Sequence, residues 1–183
     1  PFLELEPLPD FRHEGPVQIE ALRSIRRKVA RKMVTSMTLV PHVAHMDDAD
    51  VTELENFRLR ERERRQGAAG GKLTLMAFVI KAVTAGLRAT PAFNASLDPF
   101  KEEIIYKKYY NIGLAVGRDE KGLIVPNIKD CDRKNLMQIA AEVNDIAARA
   151  RADRLTLDEI QGGTFSISNA GVFGAVNSAP VIN

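Results

Sequence analysis

The sequence has only one cysteine, Cys131, so an internal disulfide bond is excluded. A single thiol is typical of a reducing compartment, and we expect the cytoplasm, or the mitochondrial matrix if the source is a eukaryote. No apolar run reaches the length of about 20 residues that a membrane-spanning helix needs. Residues 1–10 carry neither the basic nor the apolar segment of a signal peptide, so we expect neither secretion nor a membrane location.

An excess of charge of one sign is also lacking. The 26 basic and 24 acidic residues leave a net charge of +2, which gives no argument for a nucleic-acid partner. Basic residues do cluster between positions 23 and 32, but such a cluster is more often a solvated helix face than an anion site. Because 45% of the residues are hydrophobic and 27% are charged, the composition indicates one globular domain with a real core.

The distribution of proline and of apolar residues predicts the organisation of the chain. Residues 1–18 are rich in proline, which excludes a regular helix and predicts a linker or N-terminal arm, and residues 19–183 are expected to form the domain. Predicted helices and strands alternate, so we expect an α/β (α+β) fold in which helices pack on a mixed β-sheet. The predicted helices cover residues 24–38, 52–65, 74–90 and 135–151, and the predicted strands cover residues 42–50, 104–106, 109–116, 123–128 and 164–168.

Side chains typical of metal and phosphate sites are scarce. The three histidines are His13, His42 and His45, and the last two point to opposite faces of a predicted strand. We therefore expect no metal site. No glycine-rich phosphate loop lies between a strand and a helix. Cys131 has no local signature of a nucleophile, so we expect a structural or surface thiol.

The segment 164–169 has the most informative pattern. Strand alternation places Thr164, Ser166 and Ser168 on one face of the predicted strand and apolar side chains on the other. Such a row of hydroxyl donors can stabilise an oxyanion. Periodicity alone favours the simpler alternative, a half-exposed strand with a polar outer face.

The second predicted helix contains a candidate charged site residue. It begins at Thr52 with Glu55 three residues on, which is the spacing of a capping box. Arg58 lies on the same apolar stripe as Leu54, and an arginine there must be paired or extend to water. An exposed ion pair with Glu55 or Glu61, worth little stability, is the simpler interpretation.

Five segments resemble, in order along the chain, the catalytic domain of the dihydrolipoamide acyltransferases of 2-oxo acid dehydrogenase complexes. They are PHVAHMDDADVT at 41–52, FNASL at 93–97, KYYNIGLAV at 108–116, GLIVP at 122–126 and GGTFSISN at 162–169. The resemblance implies a fold like that of chloramphenicol acetyltransferase and an enzyme that moves an acyl group between dihydrolipoamide and coenzyme A. It also implies homotrimers that assemble into a cubic or dodecahedral core, and no metal. The lipoyl group and the dehydrogenase partner subunits would be bound through separate domains that residues 1–183 do not include.

The same resemblance implies roles for individual residues. Ser168 matches the family serine that stabilises the oxyanion of the tetrahedral intermediate. Ser166 and Asn169 lie beside it in the substrate and coenzyme A channel. Arg58 matches an arginine of that channel, and Asp119 is its expected carboxylate partner.

The catalytic base of the family is a histidine in a D-H-R-x-x-D-G motif, which reaches the active site from the neighbouring subunit. The sequence ends at Asn183 before such a motif. We therefore expect that residues 1–183 lack the C-terminal segment of the catalytic domain and are inactive alone.

Two other functions stay open at the level of the sequence. One is a non-catalytic assembly or scaffold form of the same core domain, and the other is a stand-alone enzyme of the chloramphenicol acetyltransferase type. The acyl group is also open. Residues 40–145 resemble acetyl- or branched-chain-type sequences, whereas residues 171–174 with Ser178 and Pro180 resemble the succinyl type; acetyl is favoured.

Overall fold

The computed structural model describes residues 7–22, 24–64, 72–118, 122–171, 174 and 178–182. The chain forms two compact units. The first unit comprises residues 1–46 together with 177–183, and the second comprises residues 47–176.

The first unit contains helix α1, Ser24–Leu39, which confirms the helix predicted over 24–38. Within this unit the Ser36 hydroxyl donates to the carbonyl of Ile182. The N–H of Ile182 in turn donates to Nε2 of His42 over 3.0 Å. Nδ1 of the same ring lies 2.7 Å from the carbonyl of Val40, to which it donates. His42 therefore joins two segments of the unit.

The second unit contains helices α2 (Thr52–Arg64), α3 (Leu75–Ala89) and α4 (Leu136–Arg151). Each confirms a predicted helix with its ends within one residue of the expected bounds. No helix in the described part of the chain combines the length and the apolar character that a membrane span requires.

The starts of α2 and α4 are capped in different ways. At α4 the Asn135 side chain accepts from the N–H of Gln138 and the Gln138 side chain accepts from the N–H of Asn135, each over 2.9 Å, which is a capping box. The capping box predicted at Thr52 is wrong. There Asp50 Oδ1 accepts from the N–H of Thr52 over 2.9 Å, and the carboxylate of Glu55 is bound by an arginine instead.

The described strands of the second unit form three separate sheets. They are β1 (Ala95–Asp98), β2 (Glu103–Tyr106), β3 (Ile112–Leu114), β4 (Val116–Arg118), β5 (Gly122–Ile124), β6 (Asn127–Ile128) and β7 (Phe165–Ile167). β3 is the central strand of a mixed sheet, with β6 antiparallel on one side and β7 parallel on the other. β1 with β2 and β4 with β5 form antiparallel pairs. The predicted α/β (α+β) architecture, a mixed sheet with packed helices, is confirmed.

The core of the second unit lies between α3, α4 and the β6–β3–β7 sheet. Ile80, Ile112, Ile139 and Ile146 are among its fully buried side chains, and each contributes about 1.5–3 kcal/mol through burial. Cys131 is also fully buried, which raises the pKa of its thiol to about 11 because burial disfavours the thiolate. The cysteine is therefore a structural thiol and not an exposed one.

The strand predicted over residues 42–50 is wrong, since no strand forms in this described segment. Its aspartates explain the difference. Asp47 accepts from the N–H of Asp48 over 2.9 Å, and Asp50 accepts from the N–H of Thr52. Such local side-chain bonds occupy backbone donors that a strand would offer to its neighbour.

The strands in the middle of the chain also differ from the prediction. β1 was not predicted, and the strand expected over 109–116 is divided into β3 and β4. The strand expected over 123–128 is divided into β5 and β6 around Pro126, which has no N–H to offer to a ladder. The carbonyl of Pro126 nevertheless accepts from the N–H of Leu114 over 2.8 Å, so the β5–β6 segment stays attached to β3.

Candidate active site

A cavity of about 550 Å³ opens in the second unit between α4, the start of α3, the β3–β4 segment and the residues that follow β7. Most of its wall is apolar. The apolar lining is formed by Met76, Leu114, Val116, Leu123, Val143 and Ala147. In such surroundings a hydrogen bond or a charge acts more strongly than in water.

Ser168 lines this cavity as the first residue after β7. The parallel pairing of β7 with β3 brings it there, because the carbonyl of Ile167 accepts from the N–H of Ala115 over 2.9 Å. Ile167 itself is half-buried and packs against the core. The exposed Ser168 therefore lies at a mostly apolar cavity, which the alternation of the strand predicted only in part.

Four further polar side chains lie at the same cavity, and Thr74 just before α3 is one of them. Asn169 lines it next to Ser168, and its Oδ1 accepts from the N–H of Gly171 over 3.0 Å. Asn144 on α4 also lines it, and its Nδ2 donates to the carbonyl of Lys72 over 2.8 Å. Arg151, at the end of α4, is the charged side chain among the described residues of the lining.

Ser166 lies apart from Ser168. It is not among the side chains that line the described cavity, and it pairs in register with Gly113 of β3. A Cβ at position 113 would lie 2.9 Å from Ser166 Oγ and 2.8 Å from Val125 Cγ1. Ser166 thus faces a tightly packed part of the sheet where only glycine fits.

The structure places Arg58 in a bidentate ion pair. Its Nε and Nη2 donate to the two carboxylate oxygens of Glu55 over 2.7 Å and 2.5 Å, and its Nη1 donates to the carbonyl of Leu73 over 3.2 Å. The hydrogen bonds from Arg58 lower the pKa of Glu55. The expected partner Asp119 lies outside the described residues. Arg58 therefore contacts the segment just before the cavity-lining Thr74, and its role in a channel stays a prediction.

Two asparagines missed by the sequence analysis as functional residues hold the turn that leads into β7. Asn127 donates to the carbonyls of Glu159 and Gln161, and Asn111 donates to the carbonyl of Gly162. In the sequence, Asn111 stood out only as a member of the segment 108–116 that resembles the acyltransferase family. Contacts across 30 to 50 residues cannot be found from a local pattern, so no local signal marked Asn127.

An ion pair stabilises the same turn from the side of α4. Arg149 Nη2 donates to Glu159 Oε1 over 2.5 Å, and the N–H of Thr156 donates to Glu159 Oε2 over 2.8 Å. These hydrogen bonds, above all the one from Arg149, lower the pKa of Glu159 from its ordinary value of 4.5 to about 2.

Within the described residues, no group of three or more His, Cys, Asp or Glu side chains converges on a point where a metal ion could bind. The three histidines belong to the first unit, and none of them lines the described cavity. The site therefore consists of hydroxyl, amide and guanidinium groups on an apolar wall. This set can donate hydrogen bonds to a developing negative charge.

Residues 14–183 match the model of the 2-oxoacid dehydrogenases acyltransferase (catalytic domain) family. The chain belongs to this family. The dihydrolipoyllysine-residue acetyltransferase component of the pyruvate dehydrogenase complex of Cupriavidus necator is 42% identical over 174 residues, which is 95% of this chain and 31% of the relative. The chain thus spans about a third of the length of the curated relatives that it matches.

Solved structures of the family share the fold. The dihydrolipoamide acetyltransferase of Azotobacter vinelandii, investigated for the role of a serine, a histidine and an asparagine in its catalytic mechanism, superimposes with a TM-score of 0.90 at 36% identity. The match covers 99% of this chain and 74% of that one. The cubic core of the pyruvate dehydrogenase multienzyme complex gives the same TM-score and identity over 98% of this chain and 73% of that one. These matches confirm the expected acyltransferase fold.

Proposed function

We propose that this chain transfers an acyl group between the thiol of a dihydrolipoamide and coenzyme A, as part of the core of a 2-oxo acid dehydrogenase complex. The observation that carries the proposal is the place of Ser168, which lines a mostly apolar cavity at the end of a strand in a chain of this acyltransferase family. Coenzyme A and the lipoyl group are substrates in this proposal, and no metal takes part.

The chemistry assigns Ser168 one task. A thiolate sulfur attacks the carbonyl carbon of the thioester, a new C–S bond forms, and the carbonyl oxygen becomes an oxyanion. The Ser168 hydroxyl donates a hydrogen bond to this oxyanion, and the apolar wall around it keeps that bond strong. The intermediate then collapses as the original C–S bond breaks and the departing sulfur takes up a proton.

The proton of the attacking thiol requires a general base. His13, His42 and His45 do not line the cavity within the described part of the chain. We propose that the base is a histidine on a segment outside residues 1–183, contributed by the neighbouring subunit. A site shared between subunits makes assembly a condition for activity.

Assembly of the chain into a homotrimer, and of trimers into a cubic core, is part of the proposal. Support comes from helix α1, on which Val29, Val34 and Met37 are each more than half exposed. Several exposed apolar side chains on one helix are typical of an interaction surface. The cubic core named for the similar structure favours a cube over a dodecahedron. The lipoyl group and the dehydrogenase subunits would be engaged through domains outside this segment.

The acyl group proposed is acetyl. The curated relatives quoted above are acetyltransferase components of pyruvate dehydrogenase complexes, and this is the finding that supports the choice.

The test is a transfer assay on the protein encoded by the full-length gene, with free dihydrolipoamide and acetyl-, isobutyryl- or succinyl-coenzyme A. We expect turnover with acetyl-coenzyme A to exceed the other two, and light scattering to report a large symmetric particle. A particle of that size without transfer would instead support the scaffold function. Transfer to a small hydroxyl acceptor and not to dihydrolipoamide would support a stand-alone acetyltransferase.

The protein limited to residues 1–183 provides the second arm of the test. It is expected to give no turnover, because the proposed base lies elsewhere. Turnover by a 183-residue protein of verified mass would contradict the proposed source of the base.

A further inference from the structure

The segment that delivers Ser168 to the cavity is held by few backbone hydrogen bonds. β7 has three residues and, among the described strands, it pairs only with β3. Before β7 the chain makes a turn at residues 159–163, whose carbonyls point at two side-chain amides. A strand of three residues has few ladder hydrogen bonds to fix its register. The position of the turn before β7 therefore determines where Ser168, the residue after β7, lies.

Asn127, the first residue of β6, contacts this turn through its side chain. The residue is 6% exposed, and its Nδ2 donates to the carbonyl of Glu159 over 3.3 Å and to that of Gln161 over 3.2 Å. Each hydrogen of the amide is thereby used on a different peptide unit of the turn. The amide thus sets the distance between the turn and β6, the strand that begins at Asn127.

Asn111 holds the next peptide unit of the same turn. Its Nδ2 donates to the carbonyl of Gly162 over 2.8 Å, while its Oδ1 accepts from the N–H of Asp130 over 3.0 Å. The backbone carbonyl of Asn111 also accepts from the N–H of Thr164 over 2.8 Å. Asn111 therefore connects the turn to the end of β6 and to the first residues of the β7 segment.

The fit between the turn and Asn127 leaves no space for adjustment. A Cβ at Gly163 would lie 2.3 Å from Asn127 Oδ1, which is closer than any real contact allows. On the other side, a Cβ at Gly113 would lie 3.2 Å from the same oxygen. Gly162 adopts a φ of +76°, a conformation that favours glycine. The Asn127 amide thus lies between two backbone segments, one from β3 and one from the turn.

We propose that Asn127, with Asn111, is a positioning residue for the transfer reaction. The two side-chain amides fix the position of β7 relative to β3. This position in turn determines where Ser168 and its hydroxyl lie at the cavity. The proposal rests on the proposed function, and it assigns to Asn127 no contact with substrate. Loss of its amide donors moves Ser168, while the core side chains that α3 and α4 contribute, such as Ile80 and Ile139, keep the protein folded.

The decisive variant is Asn127→Asp in the protein from the full-length gene. Aspartate keeps the shape of the side chain but offers no N–H, so both bonds to the turn are lost. We expect kcat to fall about 10- to 100-fold, the range in which a small misplacement of a catalytic group acts. KM for coenzyme A and for dihydrolipoamide should change less than about twofold, because neither substrate touches Asn127.

Asn94→Asp is the matched control. Asn94 is 1% exposed, and its Nδ2 also donates to two carbonyls, those of Lys107 and Tyr109, over 2.9 Å and 3.1 Å. The control removes the same chemistry at the same burial but next to the β1–β2 pair. All assays are run well below the Tm of each variant, so that the folded fractions are equal. Asn94→Asp should lower Tm as much as Asn127→Asp does and leave kcat within about twofold of the unmodified protein.

Amide hydrogen exchange gives a readout that does not depend on activity. In Asn127→Asp, peptides covering residues 162–170 should exchange faster and those covering residues 95–109 should not. In Asn94→Asp the pattern should be reversed. Asn127→Ala combined with Gly163→Ala adds a test of direct contact, because Gly163→Ala should lower Tm less once the amide is gone.

The outcomes separate the two proposals. Equal kcat losses in the two aspartate variants, or unchanged exchange over residues 162–170 in Asn127→Asp, would overturn the positioning role. If the unmodified protein transfers no acyl group, the proposed function fails, and the exchange pattern alone then decides whether the amides hold β7.

Discussion

The β1–β2 pair and the β6–β3–β7 sheet belong to the same unit and differ in what surrounds them. Leu97, Ile104, Ile105 and Tyr106 on the pair are each 49–70% exposed. Every residue of β3, in contrast, is buried. Apolar side chains therefore occur in both regions, but only the β3 sheet has a core to cover them.

The difference shows which features a buried sheet demands. Around β3, the backbones approach so closely that glycine is required at Gly113 and Gly163, and buried amides satisfy the carbonyls of the turn before β7. The β1–β2 pair has no close glycine approach of this kind among its described residues and exposes an apolar surface, although the buried amide of Asn94 satisfies two carbonyls beside it. The candidate active site thus lies on the region with the tighter packing, which can hold a hydroxyl in place.

Among the tests of this comparison between the two sheets, the substitution Ser168→Ala has the largest expected effect. Removal of one oxyanion donor is expected to lower kcat about 10²- to 10³-fold with little change in Tm, because Ser168 is exposed. Steady-state transfer kinetics on the full-length protein measure this. Ser96→Ala, which removes an exposed strand hydroxyl from β1, is the control and should leave kcat unchanged. Equal effects of the two substitutions would remove the distinction between the two regions.

A matched pair of isoleucines tests the burial difference. Ile112 on β3 is 0% exposed and Ile105 on β2 is 50% exposed. Ile112→Ala should lower the free energy of unfolding by about 2–5 kcal/mol, since it leaves a cavity. Ile105→Ala should change it by about 0.5 kcal/mol or less. Urea unfolding of both variants gives the numbers. A large loss at Ile105 would mean that the exposed surface of the pair is covered in solution.

Glycine substitutions test the close backbone approach. Gly113→Ala forces a Cβ within 3 Å of Ser166 Oγ and of Val125 Cγ1, so we expect a loss of about 1–3 kcal/mol in the free energy of unfolding. Gly86→Ala is the control, because Gly86 lies in α3 with no atom within 4 Å of the added Cβ. That change should instead stabilise the protein by about 0.5–1 kcal/mol. The same sign for both would contradict the packing argument.

Glu159→Gln is expected to have the smallest effect, and one that depends on pH. Since the pKa of Glu159 is lowered to about 2 in the folded protein, its stabilising contribution is present above its ordinary value of 4.5 and is lost as the pH falls toward 2. The variant should therefore have a Tm lower by about 2–4 °C at pH 7 and nearly the same Tm at pH 2. Scanning calorimetry across this range measures the difference.

The neighbouring Asp158→Asn serves as its control. The Asp158 side chain is 82% exposed in its pair with Lys129, so the substitution should change Tm very little. The ion pair would be excluded as the cause if the difference in Tm between Glu159→Gln and the unmodified protein stayed constant down to pH 2.

Much of the secondary structure could be predicted from local patterns, and the failures have physical causes. The apolar run of residues 74–90 and the apolar period of residues 135–151 predicted α3 and α4 to within one residue, because a helix is held by bonds inside its own segment. The strand expected over 42–50 failed because its aspartates bond to local backbone groups. β1 was missed because a strand depends on a partner elsewhere in the chain, and its partner β2 had been predicted without it.

For the candidate site, the hydroxyl pattern of residues 164–168 identified the segment, and the family resemblance selected Ser168, the residue of that row that lines the cavity. Ser168 lies at the cavity and Ser166 faces Gly113, although both were predicted on the same face. Arg58 was correctly expected to need a partner, and Glu55 provides it. Asn127 could not have been identified, since its contacts lie 32 and 34 residues further along the chain.

The amino-acid sequence alone determined the helices, the row of hydroxyls before Asn169 and the membership of an acyltransferase family, because these depend on periodicity and on local residue order. The tertiary structure decided that Ser168 lies at the cavity while Ser166 packs beside Gly113, and which amides hold their strand. The physical reason is that a parallel strand such as β7 takes its place from a neighbour about 50 residues earlier in the chain, with no bond inside its own segment to fix it.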